Sequence, residues 1–182
     1  MQIRAADIPP EGVLLEERLE PRQLKDLAAL QEKDICGFRG QLAVRLQVIP
    51  FDQMFEVTGT IQTVVTLQCG RCLASMDSLL EESFKLTFAP APPEDEDRSP
   101  EEAHALRADE MGLVFFEGEA FSFQDTIQEQ VIMAIPMQPL CREDCRGLCP
   151  RCGVDRNKTA CDCHDDAVDP RLAVLKNLKI DS

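Results

Sequence analysis

Tryptophan and tyrosine are both absent from the 182 residues, and histidine occurs only twice, as His104 and His164. Neither histidine belongs to a Ser/His/Asp or Cys/His arrangement, so nucleophilic catalysis of that type has no candidate machinery. The nine glycines form no GxGxxG turn and no phosphate loop, which removes the common nucleotide-binding signatures. No apolar run approaches the roughly 18–20 residues of a membrane span. The opening residues 1–7, MQIRAAD, lack the apolar core of a signal peptide, so a soluble, cytoplasmic chain is expected, with no membrane partner and no small-molecule substrate. Positive charge is scarce as well: 19 Lys and Arg face 33 Asp and Glu, for a formal charge of −14. That balance excludes a broad electrostatic footprint for nucleic acid but leaves room for a local basic patch. A hydrophobic fraction of 44%, with nine phenylalanines, is enough for a real core.

Cysteine is what the chain has in quantity. Cys141, Cys145, Cys149, Cys152, Cys161 and Cys163 crowd one stretch, CREDCRGLCPRCGVDRNKTACDC, and Cys69 and Cys72 form a CGRC knuckle far upstream; Cys36 stands alone. Thiolates bind Zn²⁺ in tetrahedral sets of four, so eight cysteines suit two closed sites, hence two Zn²⁺ per chain. Two residues between thiolates let one tight turn aim both sulfurs at one ion. The glycine at position 153, after the second cysteine of its knuckle, permits the positive φ that turns backbone N–H groups toward sulfur. A disulfide framework is the rival, but it belongs to secreted chains. An iron–sulfur cluster uses the same four thiolates, though no ferredoxin-type run is present. The favoured pairing closes Cys149, Cys152, Cys161 and Cys163 locally and brings Cys69 and Cys72 to Cys141 and Cys145. The alternative crowds Cys141, Cys145, Cys149 and Cys152 onto one ion. Four cysteines per site leave no open position for catalytic water.

Around the cysteines the pattern is α+β. Period-2 alternation predicts strands over 41–49, 56–68 and 83–88, the first two an antiparallel pair joined through 50–53, with the CGRC knuckle at the turn after the second. A further strand is expected at 112–116. Pro21 opens a short surface helix over 22–31. Ser122 caps a second helix, 123–135, whose stripe of Phe123, Ile127, Val131 and Ala134 or Ile135 reads as core. Residues 89–109, APAPPEDEDRSPEEAHALRAD, cannot bury a core and predict an acidic mobile loop. Asp169-Pro170-Arg171 starts a short C-terminal helix with Leu172, Leu175 and Leu178 on one side. The expected organisation is 1–88 (helix, antiparallel strands and knuckle), 89–110 (acidic loop), 111–140 (strand and packed helix completing the core) and 141–182 (zinc-binding segment ending in the helix).

Two groups of residues carry a family resemblance. Leu67-Gln68-Cys69-Gly70-Arg71-Cys72-Leu73, after an alternating strand, resembles the C-x-R-C-L signature of the YceD family. Pro139-Leu140-Cys141, the run from Cys145 to Gly153, and the run from Asp169 to Leu175 resemble its C-terminal signature. The resemblance implies a non-catalytic role in large-subunit ribosome biogenesis, promoting 23S rRNA accumulation or processing by binding rRNA or an assembly partner. Two other classes stay open: a zinc-stabilised protein–protein adaptor without an RNA role, and a metal-dependent or redox enzyme. Positive charge gathers at the cysteines, where Arg142, Arg146, Arg151, Arg156 and Lys158 face Glu143, Asp144 and Asp155. Planar arginine forks suit phosphate, so Arg146, Arg151 and Arg156, with Arg71, are the candidate contacts for rRNA or an acidic partner.

Overall fold

The structure is a computed structural model describing residues 2–91 and 112–163. The acidic stretch from 92 onward, both histidines and the expected C-terminal helix lie outside the described residues. The strands are β1 (Gln2–Arg4), β2 (Val13–Leu19), β3 (Gly37–Phe51), β4 (Met54–Gln68), β5 (Ser75–Pro90), β6 (Leu113–Phe116) and β7 (Ala120–Ser122). The helices are α1 (Lys25–Glu32) and α2 (Gln124–Ala134). No helix among the described residues is long and apolar enough to cross a membrane.

The three expected central strands are present and longer than the alternation alone suggests. They form a five-stranded sheet in the order β2-β3-β4-β5-β6, antiparallel except for β6, which runs parallel to β5. Leu42, Val44, Leu46 and Val48 of β3 and Val57, Ile61, Val65 and Leu67 of β4 are all buried, as period 2 requires of one covered face. β3 starts earlier than expected because a bulge between Arg39 and Ala43, with Gly40 at φ +78°, interrupts the alternation. β5 starts eight residues earlier than expected, at Ser75. Its first half mixes Leu79, which faces solvent, with buried Leu80, and this hides the period. A two-residue turn at Asp52 and Gln53 closes the β3–β4 hairpin, with Asp52 at φ +56°.

The helices cover the apolar face. α2 lies against β5 and buries Phe123, Ile127 and Val131. Its N-cap is Phe123 rather than the expected Ser122 and offers no side-chain cap; Ser122, one residue earlier, still accepts the Gln124 N–H at 3.2 Å. α1 is preceded by a 3-10 turn over Pro21–Gln23 and docks more deeply than a surface helix, burying Leu24 and Leu27. Leu24, at the head of α1, offers no side-chain cap. Instead the buried Gln128 of α2 accepts the Asp26 N–H at 2.7 Å, satisfying a donor that every helix start leaves open. β1 and β7, which had no readable signal, pair antiparallel and bring Phe121 into a cluster with Phe55, Phe88, Phe116 and Phe123. Ring centroids there are 4.9–6.0 Å apart.

Gly59 sits in the middle of β4, under the ring of Phe84. A Cβ at this position would lie 2.2 Å from Phe84 Cζ and 2.8 Å from Leu46 Cδ2. Gly59→Ala is expected to destabilise the domain by about 1–3 kcal/mol through overpacking. Gly59→Ala combined with Phe84→Leu recovers part of that loss in a chemical denaturation series. Additive losses in the double variant would contradict this packing.

Candidate metal centres

β4 and β5 form a long hairpin, and its tip is the first knuckle, Cys69 to Ala74. Cys69 N–H donates to Ala74 O at 2.9 Å and Leu73 N–H to Cys69 O at 2.9 Å. The second knuckle, Cys149 to Val154, repeats this pattern: Cys149 N–H to Val154 O at 2.8 Å and Gly153 N–H to Cys149 O at 2.9 Å. In both, the residue after the second cysteine is left-handed, Leu73 at φ +58° and Gly153 at φ +72°. Glycine adopts that conformation freely, whereas an L side chain there costs roughly 1–2 kcal/mol. The first knuckle therefore holds a strained turn that the second does not.

The chain leaving α2 runs back to the hairpin tip and is fastened to it by backbone groups. Gly70 N–H donates to Pro139 O at 2.8 Å, and Leu148 N–H donates to Arg71 O at 3.0 Å. Gly147, at φ +70°, passes so close that a Cβ would lie 2.9 Å from Arg71 O. Arg71 Nη1 donates to Cys145 O at 2.9 Å and to Glu143 O at 3.2 Å. This docking brings Cys69 and Cys72 to Cys141 and Cys145, while Cys149, Cys152, Cys161 and Cys163 form a second group. Within each group all four sulfurs lie within 4.8 Å of one another, and each group can hold a metal ion. Sγ separations of 3.8 Å for Cys69–Cys145 and 3.6 Å for Cys72–Cys141 match the edge, about 3.8 Å, of a tetrahedron with 2.3 Å metal–sulfur bonds. All nine cysteines are free thiols. The grouping is the favoured pairing, and the alternative set of Cys141, Cys145, Cys149 and Cys152 does not form.

The two groups differ in setting. Cys69, Cys72 and Cys145 are buried among Ala74, Leu140 and Leu148, and the Cys69–Cys145 contact spans 76 residues of sequence. In the second group only Cys149 is buried, and Cys152 and Cys163 are exposed. Asn157 links them. Its Nδ2 donates to Cys145 Sγ at 3.4 Å and to Asp155 Oδ1 at 2.7 Å, and its Oδ1 accepts from Arg146 N–H at 2.7 Å. The Asn157 N–H also donates to Asp155, which holds that carboxyl below its ordinary value. Neither Asn157 nor Asp155 is singled out by the sequence, because an Asn and an Asp beside a knuckle carry no spacing rule.

The thiols divide in the same way in each group. Backbone N–H groups of Cys141, Cys72 and Arg71 hold Cys69 down to about 6. Those of Cys152 and Arg151 hold Cys149 down to about 6. Burial and neighbouring sulfurs push Cys141 up to about 12, while hydrogen bonding with Cys152, together with burial, does the same for Cys163. Four sulfurs this close cannot all carry charge alone, and a bound cation resolves the conflict by displacing the remaining protons. Of the four arginines expected at the site, Arg71 is tied to the carbonyls above. Arg146, Arg151 and Arg156 are exposed and, among the described residues, have no side-chain hydrogen bond or ion pair.

Two outcomes follow from this geometry. Cys69→Ser removes a ligand that closes a long loop, so it lowers the thermal midpoint of the whole domain and the metal content by one ion. Cys161→Ser also costs one ion, with little change in the midpoint. Equal global loss from both would contradict the difference in setting. Metal retention is expected to weaken as pH falls, because protons compete for the sulfurs, with the steepest loss as acidification passes the value of about 6 at Cys69 and Cys149. Chelator competition measured across that range checks the sign; retention independent of pH would contradict thiolate ligation.

A family model described as large ribosomal RNA subunit accumulation protein YceD matches residues 57–179. An uncharacterized protein of Mycobacterium tuberculosis is 34% identical over 134 residues, covering 74% of this chain and 60% of the relative. An uncharacterized protein of Mycobacterium bovis matches to the same extent. A protein of Arabidopsis thaliana named large ribosomal RNA subunit accumulation protein YCED homolog 1, chloroplastic, is 25% identical over 153 residues, covering 75% of this chain and 48% of the relative. The chain thus spans about half to three-fifths of the length of these relatives. No solved structure matches. The family match covers both knuckles and the docking segment between them, and the chain belongs to the YceD family of large ribosomal RNA subunit accumulation proteins.

Proposed function

We propose that this chain is a non-catalytic, cytoplasmic factor in large-subunit ribosome biogenesis that promotes 23S rRNA accumulation by binding rRNA or an assembly partner. The family supplies the biological process. The observation that supports a binding role is the pair of all-cysteine groups, each offering four sulfurs to one ion. Zinc is the metal that fits best: CxxC knuckles with a left-handed residue after the second cysteine make a tetrahedral thiolate site, and four thiolates leave no position open for water. Zn²⁺ in such sites supplies folding energy. Cys69, Cys72, Cys141 and Cys145 would hold one ion, and Cys149, Cys152, Cys161 and Cys163 the other.

A thiol held down to about 6, as at Cys69, is a feature of redox enzymes. Here it is fully buried, whereas a reactive thiolate needs access. The low value suits a metal ligand better. A protein adaptor without an RNA role is the second reading. It draws on the deficit of positive charge, −14 over the chain, which weakens any long-range attraction to RNA.

The test is a strain lacking the chain. The expected result is a lowered ratio of 23S to 16S rRNA, restored by the wild-type chain and not by Cys69→Ser. An unchanged ratio in the deletion strain would overturn the proposal. Capture of an assembly partner that survives RNase treatment, with no RNA recovered after crosslinking, would favour the adaptor reading.

A further inference from the structure

The basic side chains around the two cysteine groups fall into two sets. Arg71 donates to the carbonyls of Glu143 and Cys145. Arg142 donates from Nη2 to Asn157 Oδ1 at 2.8 Å, and its Nε lies 3.3 Å from Asp144 Oδ1. Lys158 Nζ is 3.6 Å from Asp155 Oδ2. These three hold the segment together, and two of them, Arg142 and Lys158, also neutralise an acid, Asp144 and Asp155. The remaining three, Arg146, Arg151 and Arg156, are exposed and without a side-chain partner among the described residues.

Their backbones are nevertheless fixed. Leu148 and Asp155 form an isolated antiparallel bridge, flanked by Arg156 N–H to Gly147 O at 3.0 Å and Cys149 N–H to Val154 O at 2.8 Å. Arg146 N–H is held by Asn157 Oδ1. Arg146 and Arg156 therefore lie on the two segments that flank this bridge, and Arg151 stands at the turn between them, between the two cysteines of the second knuckle. Arg151 occupies the place that Arg71 holds in the first knuckle, yet among the described residues it meets no carbonyl. Among the described residues, the repeated knuckle thus carries one arginine engaged with carbonyls, Arg71, and one exposed without a side-chain partner, Arg151.

We propose that Arg146, Arg151 and Arg156 form a three-point contact for the phosphate backbone of RNA, with the second cysteine group as its rigid support. The inference deepens the ribosome-biogenesis reading and rests on it for the identity of the partner. Guanidinium forks bond two phosphate oxygens at once, and a fixed backbone lowers the entropy that each contact loses. The contact is short-range rather than steered. Residues 141–163 hold five basic and four acidic side chains, and each zinc tetrathiolate would add about −2. Three discrete contacts therefore predict a shallow salt dependence, unlike a broad basic surface.

The experiment is fluorescence anisotropy with the full chain, loaded with zinc, and a labelled single-stranded fragment of 23S rRNA. Three phosphate contacts to a single strand give a slope of log K against log salt of about −2, so a fourfold rise in salt weakens binding roughly twenty-fold. Arg146→Gln/Arg151→Gln/Arg156→Gln is expected to lose that slope almost entirely. Arg45→Gln and Lys85→Gln, whose charges are paired on the sheet with Glu16 and Glu56, leave it unchanged. Metal content and thermal midpoint equal to wild type show that the triple variant still folds. Should it misfold, the single variant Arg151→Gln, at an exposed turn, is expected to reduce the slope by about one-third. Wild-type and triple-variant slopes that agree, or a wild-type chain that binds no RNA, would overturn the proposal. So would RNase-insensitive crosslinking of an acidic protein through these arginines. In cells, a triple variant that folds yet restores 23S rRNA fully defeats this contact alone. An unchanged 23S ratio in the deletion strain defeats the parent reading instead.

Discussion

Four sulfurs from two stretches of chain, Cys69 and Cys72 on a hairpin tip and Cys141 and Cys145 beyond α2, converge within 4.8 Å of one another. Thiolates at that separation repel, and a cation among the four sulfurs would relieve that repulsion. The described chain beyond α2 is fastened to the hairpin tip at this meeting. Gly70, Arg71 and Gly147 dock the returning chain, and the second knuckle is built on the stretch so anchored. The long β4–β5 hairpin gives the tip a fixed position, because its register is set by fourteen paired positions from Phe55–Phe88 to Gln68–Ser75. A buried face on that hairpin resists slippage, since a shift of one residue would turn its apolar side outward.

The two cysteine groups share one knuckle geometry but not one role. The first is buried at three of its four cysteines, all but Cys141, and joins distant parts of the chain. The second is exposed and local. Asn157 reaches from the loop of the second group to a sulfur of the first, so the two are adjacent parts of one assembly. The strained Leu73, where the other knuckle uses Gly153, shows that the sheet and the docking segment over-determine the first turn.

Much of this was legible in the sequence. The alternation in β3, β4 and the second half of β5 announced a sheet with one buried face, and the fold class follows from it. The pairing of cysteines was readable from spacing: four ligands close together suffice for one ion, which left the distant knuckle to find the other pair. What stayed hidden has physical causes. The bulge at Gly40 broke the period of β3. Leu79 on the open face masked the first half of β5. The three-residue strands β1 and β7 are too short to show any period, and they owe their pairing to the phenylalanine cluster around Phe121. The depth of α1 depends on Gln128, 102 residues away from Asp26, a contact that local pattern cannot reveal. The division of the arginines was equally invisible, because it depends on which carbonyls and carboxylates the fold brings near each one.

The central claim is that each four-cysteine group closes around one zinc ion and that the first such closure welds the hairpin tip to the C-terminal segment. Zinc-edge X-ray absorption on the full chain, purified without chelator, tests it most directly. The account predicts two zinc ions per chain, one for each group, each with a shell of four sulfurs at about 2.3 Å and no lighter ligand. A nitrogen or oxygen donor in the average shell, or a single zinc per chain shared among cysteines of both groups, would contradict it.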